Sequence, residues 1–154
     1  MMTIDFYELK SEIIDLFNKN KLIVLATSSE NHVTARMMSY VNNDLTIYFQ
    51  TGKNFKKYQQ ISDNNNVALC FGNIQIEGLA EIKGHPFNNE NSFFLELYKE
   101  SHNLSYQLYS HLEDEVVIEV IPKLITIWKY DNTGKKSYRD FLDLINDTAY
   151  RIYN

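Results

Sequence analysis

Residues 22–60 read LIVLATSSENHVTARMMSYVNNDLTIYFQTGKNFKKYQQ, and residues 61–80 continue ISDNNNVALCFGNIQIEGLA. Leu22 to Thr27 is an aliphatic, β-branched run, and Ser28-Ser29-Glu30-Asn31 supplies a polar turn after it. Val33, Ala35, Met37 and Val41 then alternate with Thr34, Arg36, Met38 and Tyr40, the period of two that marks a strand. Asn42-Asn43-Asp44 is a second turn, because these side chains bond locally and tolerate left-handed backbone. Leu45, Ile47 and Phe49 alternate with Thr46, Tyr48 and Gln50 in a third strand, and a short helix follows. Val67, Leu69 and Phe71 oppose Ala68, Cys70 and Gly72, with Cys70 expected as a small strand residue near the core. Ile74 and Ile76 oppose Asn73, Gln75 and Glu77 in the strand after it. Short antiparallel strands with tight turns leave unpaired edges unless they close, so the pattern predicts a barrel.

Helices flank this block. Phe6, Leu9, Ile13, Leu16 and Phe17 share one face of a helix over 5–18, with Thr3 or Asp5 as its cap. Residues 88–112 read as helical, divided near Asn103. Residues 115–130 return to strand with a break at Pro122. Phe141, Leu142 and Ile145 suggest a last amphipathic helix over 138–149.

One domain spanning 1–154 is the natural division at this length. The net charge of −5 argues against unspecific nucleic-acid binding, which depends on surplus Lys and Arg. A single cysteine, Cys70, rules out an internal disulfide framework and fits a reducing cytoplasm. No apolar run approaches the ~18 residues of a membrane helix, and the first residues lack the apolar segment of a signal peptide. The histidines His32, His85, His102 and His111 show no metal-ligand spacing.

The strongest local chemistry lies at Gln50-Thr51-Gly52-Lys53-Asn54-Phe55-Lys56-Lys57. Three lysines fall within five residues at the start of a helix, where free N–H groups favour an anion and Thr51 or Asn54 can cap.

The succession LATSS, ARMMSYV, LTIYFQT, KKYQQI, NNNVAL and IEGLA resembles the pyridoxamine 5′-phosphate oxidase-like, FMN-binding split-barrel family, in its general stress protein and flavin reductase-like branch. The resemblance covers about residues 5 to 130 and rests on the order and spacing of these segments together. It implies a mainly β domain with flanking helices, a six-stranded antiparallel split barrel of Greek-key type, and a homodimer holding FMN at the subunit interface. It implies that Arg36 and Lys57 reach the FMN phosphate, with Thr51 and Lys57 matching a Thr followed six residues later by Lys. Met37, Met38, Ser39 and Tyr40 then line the ring. Gln50, Thr51 and Lys56 join the cofactor site, Asn73 reaches the polar edge of the flavin in the partner subunit, and Trp128 stands near the ring. Phe55 departs from the small hydroxyl residue of many members, and Asn65 replaces a proline.

Family oxidases carry an Arg-x-His motif near the C-terminus, absent from Trp128 to Lys136 here, which argues against oxidation of pyridoxamine 5′-phosphate itself. The expectation is a flavin-dependent oxidoreductase acting on a small molecule, with a non-catalytic flavin-binding or stress-related protein as the alternative. A split barrel carrying haem or a deazaflavin is a third reading, although no axial ligand is assigned. No catalytic acid, base or nucleophile is identified.

Overall fold

The computed structural model of the chain describes residues 1–154. After a short strand β1 (Met2–Thr3), helix α1 (Phe6–Lys19) is capped by Asp5, whose carboxylate accepts the Glu8 N–H at 2.8 Å. Strands β2 (Leu22–Ser29) and β3 (His32–Ser39) form a hairpin, and its tip places Glu30 and Asn31 at positive φ. Strand β4 (Val41–Asn43) turns through Asp44 into β5 (Thr46–Gly52), and helix α2 (Lys56–Asp63) follows. Strands β6 (Asn66–Phe71) and β7 (Ile74–Ile82) lead through a 3-10 turn to helices α3 (Ser92–Ser101) and α4 (Asn103–Tyr109). Strand β8 (Glu115–Tyr130) and the hairpin β9 (Ser137–Asp143) and β10 (Thr148–Tyr153) complete the chain.

The sheet runs β1-β10-β9-β8-β7-β6-β2-β3, and β5 joins it through β8. Strands β5, β8, β7, β6, β2 and β3 form the six-stranded barrel, split because β3 and β5 do not pair. Helix α1 fills the barrel with Leu9, Ile13 and Phe17, which join Ile23, Leu25, Phe49, Leu69, Ile76 and Ile118 in one core. A smaller cluster of Val41, Phe94, Tyr98 and Val117 seats α3 on the other face of β5 and β8, so the first residues of β8 are buried on both faces.

Pro122 does not break β8. Between Glu77 and Gly78 the pairing of β7 with β8 shifts register, leaving Lys123 as the extra residue of a bulge. A proline fits at such a point because the bulge removes the ladder bond its missing N–H would have made. The bend lets the first half of β8 pair with β5 and the second half with β9.

Two further sequence expectations fail here. Residues 138–149 are a β-hairpin rather than a helix: Asp140 and Leu142 point inward while Arg139 and Phe141 point outward, and Asp147 turns the chain at positive φ. Cys70 is exposed on the outer sheet face, because Val67 and Leu69 take the inner one.

The hairpin is held by a charged centre. Asp140 is 1% exposed; Arg151 Nε donates to its Oδ1 at 2.7 Å and Arg151 Nη2 to its Oδ2 at 2.9 Å. Lys129 Nζ donates to Asp140 at 3.1 Å and to Glu12 of α1 at 2.8 Å, tying sheet to helix. Burial would raise the Asp140 carboxyl, but the bonds from Arg151 and Lys129 outweigh it and hold the group below the usual carboxylate range. Its stabilising effect is therefore fully present above the unfolded value of roughly 3.9 and is lost as pH falls through the lower folded value. Asp140→Asn should lower stability by about 2–4 kcal/mol at neutral pH, because two partly buried cations lose their partner. Urea unfolding at descending pH should show the gap between wild type and variant closing in the acid range.

Candidate functional site

Where β5 ends, the chain turns sharply at Gly52. A Cβ there would stand 2.7 Å from Asn54 Oδ1 and 3.1 Å from the Phe55 ring, so a larger residue would displace these two exposed side chains, and no positive φ demands the glycine. The turn starts α2 at Phe55, whose extended backbone forms the N-cap; neither Thr51 nor Asn54 caps the helix. Helix α2 is fixed to the β2–β3 hairpin by Gln60, which is 4% exposed. Gln60 Oε1 accepts from Thr27 Oγ1 at 2.6 Å and Thr34 Oγ1 at 2.7 Å, and Gln60 Nε2 donates to His32 O at 3.2 Å.

Arg36 joins the same network. Its Nη1 donates to Leu25 O at 3.1 Å and Thr27 Oγ1 at 2.9 Å, and its Nη2 donates to Thr34 Oγ1. The guanidinium is thus aimed toward α2. Lys57, one helical turn before Gln60, lies close enough for the two cations to repel. Burial first, and Arg36 second, push the Lys57 ammonium below its ordinary value, while Glu115 partly offsets them. Lys57 Nζ rests over the Phe55 ring, 4.3 Å from its centroid.

Lys57 and Phe55 border a pocket of about 150 Å³ that is lined also by Gln50, Thr51, Gly52, Tyr98, Tyr109 and Glu115. One of its polar atoms, Thr51 Oγ1, is buried with no hydrogen bond. The Glu115 carboxyl, on a residue 6% exposed, receives no hydrogen bond from the chain and opens to solvent through the pocket. Gln50 Oε1 is occupied by Ser110 Oγ at 2.7 Å. Burial pushes the Glu115 carboxyl up to about 7, against the opposing effect of Lys57.

Of the residues the sequence singled out, Gln50, Thr51 and Lys57 line this pocket and Arg36 stands behind Lys57, whereas Lys56, Asn73, Trp128 and the stretch Met37 to Tyr40 do not line it. Lys56 points to the other side of α2, into a separate hollow with Ser29, His32 and Asp63. Asn73 and Trp128 sit together near the far end of β8: Asn73 Nδ2 donates to Trp128 O at 2.6 Å, and Arg139 lies 5.9 Å from the Trp128 ring. From Glu115 to Trp128 is 128 − 115 = 13 residues of one strand, a contour of roughly 40 Å at the usual rise.

The stretch Met37 to Tyr40 divides. Met37 is 60% exposed on the outer face, Met38 and Ser39 are half-buried, and Tyr40 belongs to the core. Tyr40 has no polar group left for a ligand: its hydroxyl donates to Phe17 O at 2.8 Å, its N–H to Lys21 O at 3.2 Å, and His102 Nε2 bonds its carbonyl at 2.8 Å. Gln60 and Glu115 were not singled out in the sequence. Only the convergence of α2, α3 and α4 on the end of β5 gives them their environment.

The pyridoxamine 5′-phosphate oxidase family matches residues 9–129, and the chain belongs to that family. It is 31% identical over 65 residues to General stress protein 26 of Bacillus subtilis, a match covering 42% of this chain and 46% of that protein, so less than half of the relative's length is spanned. Among solved structures, a putative pyridoxamine 5′-phosphate oxidase from Listeria innocua superposes with a TM-score of 0.63 at 22% identity, covering 77% of this chain and 97% of the other. An FAD-binding protein from Mesorhizobium loti gives 0.60 at 12% identity, covering 80% and 93%. The heme storage protein HutZ from Vibrio cholerae gives 0.63 at 13% identity, covering 74% and 89%. These structures share the split barrel.

Gln60→Leu should remove the only partner that unites Thr27, Thr34 and the His32 carbonyl. A loss of about 1–3 kcal/mol in urea unfolding is expected, the usual penalty for buried polar groups left unpaired.

Proposed function

We propose that the protein binds FMN in the pocket at the end of β5, as a homodimer, and serves as a cytoplasmic flavin-dependent oxidoreductase on a small molecule. The observation that carries this reading is the pairing of Lys57 with Arg36 beside the unpartnered Thr51 hydroxyl, in a chain whose net charge is −5. A lysine with an arginine near enough to lower its pKa, beside buried hydrogen-bonding capacity at Thr51, fits a phosphate. Bound FMN would supply electron transfer, while the chain's residues hold its phosphate and orient it.

The pocket alone, about 150 Å³, is below the ~300 Å³ at which small-molecule sites begin, so it suits the phosphate end of the cofactor only. Asn73 and Trp128 lie at the other end of β8 from Glu115, and neither lines the pocket of Thr51 and Lys57. A second copy can bring them there. The outer sheet face supports such pairing: Leu22, Val33, Met37 and Leu79 are exposed on it, with Ala35 and Cys70 between them.

Haem fits less well. His85 is engaged through both ring nitrogens, with Leu112 O at 2.9 Å and the Phe87 N–H at 3.0 Å, and His102 is bonded to Tyr40 O. A non-catalytic flavin-binding role is the alternative, favoured by the similarity to a stress protein.

Light scattering at micromolar concentration should give a dimer; a stable monomer would remove the shared site. Lys57→Ala and Arg36→Ala should each weaken FMN about ten- to a hundredfold, the value of one charge-assisted bond. Riboflavin, which has no phosphate, should bind wild type and both variants with similar, weaker affinity. Flavin-fluorescence titrations of apo-protein make the comparison, and equal FMN affinity for all three proteins would move the phosphate elsewhere.

A further inference from the structure

The phosphate pocket contains an acid that an anion site would be expected to avoid. Glu115 starts β8 opposite Gly52 of β5 and shares a face with Val117, which packs under α3. The residue is 6% exposed and lines the pocket, yet its carboxyl receives no hydrogen bond. Nor does it form an ion pair with Lys57, whose ammonium lies over Phe55 instead. No contact within the chain satisfies this carboxyl.

The charged and titratable groups around it can be named from every element. Lys57 comes from α2, Tyr98 from α3 and Tyr109 from α4; Arg36 of β3 stands behind Lys57. Thr51 and Gln50 of β5 are uncharged. Lys53 and Lys56 are exposed, and Lys56 faces a different hollow. The pocket itself offers one cation, Lys57, with Arg36 behind it as a second positive charge outside the lining. A phosphate monoester carries up to two negative charges above its second pKa of about 6. A phosphate dianion beside an ionised Glu115 would leave one negative charge in excess in a largely buried site, a costly arrangement. One proton restores the balance.

We propose that Glu115 contacts the phosphate of the bound nucleotide as a carboxylic acid, donating its O–H to a phosphate oxygen, so that the site takes up a proton from solvent together with its ligand. This rests on the reading that the pocket holds a phosphate. No covalent bond changes: the proton goes to the carboxyl and is shared with the phosphate. Thr51, whose hydroxyl is free, supplies a second neutral donor beside it. The acid acts as a selectivity element, since it accommodates a phosphate only when protonated and imposes no such condition on the uncharged tail of riboflavin. The carboxyl pushed up to about 7 in the free protein puts the transition within the physiological range.

The experiment is a flavin-fluorescence titration of dimeric apo-protein with FMN and riboflavin between about pH 6 and 9, for wild type and Glu115→Gln, which keeps the shape and an N–H donor but cannot ionise. Wild-type affinity for FMN should fall about tenfold per pH unit above neutrality. Glu115→Gln should be nearly flat across that range and bind FMN more tightly than wild type at its alkaline end. Riboflavin affinity should be flat for both proteins. An alkaline loss that persists in Glu115→Gln would assign the titration to Lys57 and overturn the proposal, as would a wild-type profile without slope. Failure of wild type to bind FMN at any pH, by contrast, would remove the flavin reading itself. Should Glu115→Gln not fold, calorimetry of wild type near pH 8, in two buffers of different ionisation enthalpy, replaces it: about one proton taken up per FMN and none per riboflavin is expected. No uptake with FMN would overturn the assignment.

Discussion

Gly78 has no room for a side chain. A Cβ there would stand 2.9 Å from the Ile121 carbonyl oxygen and 2.9 Å from Val120 Cγ1. This close approach of β7 to β8 sits at the register shift that makes Lys123 a bulge and seats Pro122 without a broken ladder. Everything around the pocket depends on it. Because β8 bends there, its first residues can leave the β9 side, pair with β5 and bring Glu115 opposite Gly52, while its last residues carry Trp128 and Lys129 toward the C-terminal hairpin. A straight strand of this length could not serve both neighbours.

The sequence made much of this fold legible, for a physical reason. In β2, β6 and β7 one face is buried and the other is not, so the alternation of Ile74, Ile76 and Ala80 with Gln75, Glu77 and Leu79 reports the core directly. The hairpin at 137–153 broke that rule. Its inward residues include Asp140 and Arg151, which sequence patterning assigns to solvent, and their burial is possible only because each supplies the other's charge. With those positions misread, Phe141, Leu142 and Ile145 imitate a helical stripe. Ile145, which completed that stripe, is 70% exposed in the turn between β9 and β10.

The pocket divides in the same way. Thr51, Gly52 and Lys57 are local in sequence and could be read from their spacing, and Arg36 from the hairpin before them. Gln60 and Glu115 could not, because neither has local chemistry that distinguishes it from a surface residue. Gln60 matters because its amide meets two threonine hydroxyls of a different hairpin. Glu115 matters because β5, α2, α3 and α4 close around it, which is tertiary information. Tyr40 shows the converse: its position beside Arg36 suggests a ligand contact, whereas its side chain and both backbone groups are consumed by α1, the Lys21 carbonyl and His102.

In the proposed reading, phosphate binding and dimerisation would be coupled through the alternation of β3. Arg36 is fixed by the carbonyl of Leu25 and the hydroxyls of Thr27 and Thr34, so its charge is positioned before any ligand arrives. Such preorganisation favours an anion because little ordering remains to be done on binding. The exposed face carrying Val33, Ala35 and Met37 lies on the same strand, with alternate residues turned toward α2 and away from it. A ligand that contacted both chains would stabilise the dimer, and dimerisation would by the same linkage strengthen the ligand. The alternation of β3 therefore does two things at once: it turns Arg36 toward α2 and leaves Met37 on the exposed outer face, where the proposed dimer would seat a second copy.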